Sequence, residues 1–155
     1  MSSVETRQYD PLQVVGSWTT PGTFGVVDIM DGTIDGEFAA VARDNPRFAR
    51  EHDRAGNTTR VKNNNRGGTV TITLSASSPT NETLANVQEL DDLTETQVGV
   101  LLLKDLNGNT VIEADGAFLQ DQPDPTFGAE RGTRAWIFEC SAIRVHNGGH
   151  RLTSE

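Results

Sequence analysis

Crosslinking is the first thing this chain does without. Cys140 is its only cysteine, so no intrachain disulfide can form. Aromatic residues are scarce, at 6%, and Tyr9, Trp18 and Trp136 stand far apart. That argues against a large stacking platform, and so against a soluble β-sandwich module that grips a carbohydrate or small ligand. No apolar run approaches the ~20 residues of a membrane-spanning helix, so no membrane anchor is expected. The opening residues, "MSSVETRQYD", lack the basic start and apolar run of a signal peptide. Synthesis and folding in a cytosol are therefore expected. Positive charge is also in deficit: 13 Lys and Arg against 22 Asp and Glu give a net charge of −9. An acidic chain is repelled by phosphate backbones, which disfavours a general nucleic-acid binder.

The deficit is uneven. Arg43, Arg47, Arg50, Arg54, Arg60, Lys62 and Arg66 share their stretch with only Asp44, Glu51 and Asp53. Residues 43–66 thus carry +4 and the rest of the chain −13. Two readings stay open: a solvated hairpin with scattered arginines, or an assembly element whose basic surface meets an acidic one on another copy. The length of 155 residues favours one domain, 1–155, with an N-terminal arm at 1–10, the basic segment at 43–66 and a C-terminal tail at 145–155. A hydrophobic share of 35% suffices for a modest core.

Periodicity points to a mainly β fold, a sandwich or barrel with one α-helix. The clearest strand is "TVTITLS". Val70, Ile72 and Leu74 point one way, toward a core, and Thr69, Thr71 and Thr73 the other. Ser78 and Pro79 then read as N-cap and first turn of a helix over 79–91, with Leu84, Val87 and Leu90 on its inner face. Its acidic end, "ELDD", opposes the helix dipole. Further strands are expected from Leu12 to Trp18 and in "FGVVDIM", "EFAAVAR" and "NTTRVKN". "VGVLLLKD" and "TVIEADGAFLQ" should form a hairpin around a type I′ turn at Asn107-Gly108. The last strand is "TRAWIFECSAI", with Trp136, Phe138 and Cys140 on one face.

No motif supports catalysis or a cofactor. "DLNGNTVIEADG" imitates a calcium loop, but Thr110 and Gly116 stand where the sharp-turn Gly and the bidentate Glu are needed. His146 and His150 are too few to close a zinc site and read as part of a flexible terminal loop. Cys140, within an apolar strand, reads as a small buried hydrophobe. The chain is expected not to be an enzyme.

Five segments carry a resemblance: "YDPLQVV" at 9–15, "DGEFAAVAR" at 35–43, "NNNRGGTVTITLSASSPTNETLANVQELD" at 63–91, "VLLLKDLNGNTV" at 100–111 and "TRAWIFEC" at 133–140. In this order they resemble the tail tube proteins of contractile-tailed bacteriophages. The resemblance implies stacked hexameric rings forming a hollow tube around a shared inner β-barrel. It implies DNA passage into the host, and placement in the virion tail after assembly in the host cytoplasm. Implied partners are further copies of the chain, the tail sheath protein, the baseplate and tail terminator proteins, a tape measure protein in the lumen, and double-stranded DNA in transit. On this reading Thr69, Thr71 and Thr73 face the lumen, and the basic residues of 43–66 make the contact between rings. The inner tube of a bacterial contractile secretion or bacteriocin particle would share the same fold.

Overall fold

The computed structural model describes residues 4–22 and 24–152. After a 3-10 turn at Pro11–Gln13 come β1 (Val14–Thr19), β2 (Val26–Asp28), β3 (Ala39–Arg43), β4 (Phe48–His52), β5 (Thr58–Lys62) and β6 (Gly68–Ser75). Then follow α1 (Thr80–Thr94), β7 (Gly99–Asp105), β8 (Val111–Leu119), β9 (Thr133–Cys140) and β10 (Ala142–His146). The fold is mainly β with one α-helix among the described residues.

Eight strands make one antiparallel sheet in the order β2-β1-β7-β8-β9-β6-β3, with β10 also paired to β8. β8 is the hinge of the sheet. Its first half pairs with β7 and β10, and its last residues, Phe118 and Leu119, pair with β9. Gly116 adopts φ 62 between the two halves, with Ser141 packed where a side chain would stand. The inner faces enclose the core, in which the Trp18 and Phe138 rings meet edge-on at 5.0 Å. Val70, Ile72, Leu74, Leu84, Val87, Trp136 and Phe138 are all in this core, as their spacing predicts. The sheet is not closed within one chain: among the described residues β3 has β6 as its only strand neighbour, and its Val41 shares a cavity lining with Val14 of β1. A cavity of about 380 Å³ opens there, lined by Val14, Val41, Leu103, Ile112 and Val145 among others.

Five expectations change. Leu90 is only half-buried and outside the core cluster. The helix runs to Thr94 instead of stopping at Asp91, and Leu93 in its last turn is 83% exposed. Its N-cap by backbone geometry is Pro79, although the Ser78 hydroxyl still accepts from the Thr80 N–H at 3.3 Å. Neither Asn107 nor Gly108 has positive φ, so the β7–β8 turn is not type I′. Asp105 instead accepts from both the backbone and the side-chain nitrogen of Asn107, and Asn107 is spent on holding Asp10. The chain end is also more ordered than a loose loop. β10 follows Ser141, His146 belongs to it, and His150 pairs with Asp105 at 3.3 Å while stacking on Tyr9.

Candidate assembly surface

The "NNNRGG" run that feeds β6 is a structural clamp. The Asn63 side chain accepts from the Asn65 N–H, and that of Asn65 from the Gly67 N–H. The Asn65 amide reaches the Asp44 carboxylate, and the Asp44 N–H donates to the Gly67 carbonyl. Arg47 and Asn63 close the neck through a backbone bond of 2.8 Å. Gly68 is required because Ala42, Arg43 and Ile143 crowd its Cα.

From this neck the β4–β5 hairpin projects as a separate two-stranded sheet. Every residue of both strands is exposed. Its tip is tied down by Asp53, which accepts from the Ala55 and Asn57 N–H groups and from the Asn57 amide. Those bonds, led by that from the Asn57 side chain, hold the Asp53 carboxyl below its ordinary range. Gly56 supplies the turn with φ 87. Strand alternation places Phe48, Arg50 and His52 on one face with Lys62, Arg60 and Thr58. Arg50 and Arg60 are direct cross-strand partners, an arrangement of like charges that disfavours the isolated hairpin. The Arg60 guanidinium lies 3.7 Å from the centre of the Phe48 ring. Arg54 sits in the tip.

Arg43, Arg47 and Arg66 stay at the root. There they converge with a residue that sequence reading missed, Arg144 of β10, around a pocket of about 220 Å³ floored by Ile143 and Val145. Arg144 lies 78 positions after Arg66, and the pairing of Gly68 with Cys140 and the backbone bond from Ile143 N to the Arg66 carbonyl bring the two segments together. Arg144 is paired with Glu113 at 2.9 Å and lies 3.9 Å from Asp115. The ion pairs among the described residues leave Arg43, Arg47 and Arg66 without a carboxylate. Thus the seven lysines and arginines of residues 43–66 form two neighbouring groups, four on the hairpin and three at its root.

Thr69, Thr71 and Thr73 lie half-exposed on the outer face of β6. Their cross-strand neighbours are Ala40, Ala42, Ala135, Ile137 and Glu139, a shallow surface of mostly small, uncharged side chains. Cys140 is buried, and that burial, with some help from Glu139, pushes its thiol up to about 11. It is therefore a neutral packing residue at ordinary pH.

A profile of the bacteriophage PhiTE tail tube protein family matches residues 9–148, nearly the whole chain. Structural protein ORF10 of Pseudomonas phage KPP10 is 29% identical over 98 residues, which span 62% of this chain and 57% of that protein. Among solved structures, the tube-terminating cap of the anti-feeding prophage aligns with a TM-score of 0.64 at 10% identity, over 94% of this chain and 95% of the other. The sheath/tube terminator of the PVC extracellular contractile injection system aligns at 0.62 and 12% identity, over 94% and 100%. In the extended sheath–tube complex of that system a chain aligns at 0.59 and 11%, over 90% and 91%. At such identities these likenesses establish the fold, and the profile establishes the kinship. The chain belongs to the bacteriophage PhiTE tail tube protein family.

Proposed function

We propose that this chain is the subunit of the inner tube of a contractile phage tail, polymerising as stacked hexameric rings into a hollow conduit for DNA. The observation that carries the reading, beyond kinship, is the β4–β5 hairpin: a folded element with every residue exposed and like charges paired across its strands. An isolated two-stranded hairpin is marginal in water, so it calls for a covering surface. Arg50, Arg54, Arg60 and Lys62, with Arg43, Arg47 and Arg66 at the root, form the contact between rings. The open sheet is completed by neighbours in the ring, making a shared barrel.

The surrounding partners follow from the tube. Sheath protein covers it, a baseplate and a terminator bound its ends, and a tape measure protein and then DNA occupy the lumen. Assembly takes place in the host cytoplasm, and the product is part of the virion tail. Purified chain should form hollow rods by negative-stain electron microscopy. Arg50→Glu with Arg54→Glu should leave subunits folded and abolish rods, and raised salt should weaken growth. Compact wild-type monomers at high concentration would overturn the reading.

Thr69, Thr71 and Thr73 face the lumen on this reading, where mostly small, uncharged side chains and the carboxylate of Glu139 offer phosphates nothing to hold. Thr71→Arg should permit assembly but slow DNA ejection, because repeated rings of arginine would retain the backbone. Particles carrying it that eject DNA at the normal rate would show that this face is not the channel wall.

A further inference from the structure

The bent sheet has two outer faces, and their chemistry differs. The β6 half shows water Thr69, Thr71 and Thr73. The β2–β1–β7 half shows it aliphatic side chains. Trp18, Val27, Leu101 and Leu103 point into the core, so strand alternation turns Val15, Val26, Val100 and Leu102 outward. All four are exposed, as is Val98 just before β7. The register makes them neighbours. Val26, Thr19 and Val100 lie in one row across the three strands, and Ser17 and Leu102 are paired in the next. Val15 lies in the third row, beside Lys104. Charge stands only at the margin of this cluster, at Asp28, Glu113 and Lys104. The wetted face of an antiparallel sheet is ordinarily polar, and an aliphatic cluster in its place marks a contact surface.

On the tube reading the face has three candidate occupants: the contents of the lumen, the sheath, or another copy of the chain. The core lies between the aliphatic face and the β6 face. Where Thr69, Thr71 and Thr73 line the lumen, the aliphatic face therefore turns away from it. A sheath that contracts must part from the tube, and contacts that part are more polar than permanent ones. Neighbours within a ring stay together throughout. The patch also reaches the margin of the sheet. β2 is an edge strand with no strand beyond it among the described residues, and Val26 is the exposed aliphatic at its start. An open edge of that kind is where a neighbour is admitted.

We infer that the outer face of β2, β1 and β7, centred on Val15, Val26, Val100 and Leu102, is the lateral contact through which one copy seats against the next within a ring. The inference rests on the tube reading and divides assembly into two steps of different chemistry. Burial of aliphatic side chains joins copies into a ring, and the basic hairpin then joins ring to ring. A closed ring needs a heterologous contact, so this face meets a different surface of the next copy and not itself.

The test follows assembly of the full chain step by step, by sedimentation velocity and negative-stain microscopy. Val15→Thr, Val26→Thr and Val100→Thr together put hydroxyls in place of methyls and keep the branched side chains that suit a strand. This triple variant should need at least about tenfold more protein than the wild type to form rings, and its rods should fail in parallel. Arg50→Glu with Arg54→Glu should instead leave rings and abolish rods. Leu102→Lys, which gains Glu113 as a cross-strand partner, should act as the triple variant does. Circular dichroism checks that each variant is folded. Should the triple variant lose its fold, Val26→Thr alone, on the edge strand, takes its place with a smaller shift in the same direction. A folded variant that forms rings at the wild-type concentration overturns the inference and leaves the tube reading standing. Normal rods that no longer accept sheath protein also overturn it, and assign the face to the sheath. A wild-type two-copy species that the triple variant loses overturns it too, since the face would then meet itself. Wild-type rings that never stack count against the tube, and their loss in the triple variant still supports the lateral contact. Wild-type chain that stays monomeric at high concentration overturns both.

Discussion

The β4–β5 hairpin and the β6–β9 pair are both antiparallel and both in clean register, but they are stabilised in opposite ways. In the β6–β9 pair, Val70 faces Phe138 and Ile72 faces Trp136, and these four side chains are essentially removed from water. Trp136 still finds an acceptor for its indole N–H in Asn81 of α1, at 2.9 Å, so strand and helix are tied as well as packed. In the hairpin, Arg50 faces Arg60 and Phe48 faces Lys62, all exposed. There the shape comes from the Asp53 tip, the Asn-rich neck and one arginine resting on a phenyl ring. Identical secondary structure thus serves two ends. One pair spends its side chains on the chain's own core, and the other leaves them exposed.

Truncation would break this comparison where the difference is greatest. Ile72→Ala removes a fully buried side chain from the centre of the core and should cost about 2–5 kcal/mol, whereas Thr71→Ala, one residue away on the wetted face, should cost much less. Urea unfolding of the two variants reads the contrast directly. Equal losses would mean that the two faces of β6 are equally packed. The smaller effect lies in the hairpin. Phe48→Ala should change global stability by no more than about 0.5 kcal/mol, because Phe48 is 46% exposed and outside the core. It should nonetheless weaken rod growth by freeing Arg60 from its stacked position. A loss of stability matching that of Ile72→Ala would show that the hairpin is part of the core's cooperative unit.

The core was legible because alternation is local. Val70, Ile72 and Leu74 share a face in any β-strand, and Leu84 and Val87 share one in any helix. Leu90 failed the same rule because spacing gives the face and not how far the sheet beneath it extends. The Asn107-Gly108 turn failed because turn propensity concerns the dipeptide alone. Asp105, Asp10 and the chain end compete for Asn107, and that competition is tertiary. Gly108 is needed for close approach to Gly149 and His150, not for positive φ.

The candidate surface divides along the same line. Sequence alone determined the charge imbalance between residues 43–66 and the remainder, the strand that follows, and the unfavourable acidic end of the helix. Those are properties of composition and period, fixed before any contact forms. Tertiary structure decided that three of the seven basic residues of that segment leave the hairpin to meet Arg144, and that Cys140 is sealed in the core. The reason is physical. A charge is written at one position, but its neighbours are chosen by strand pairing across tens of residues, here by the bond between Ile143 and Arg66.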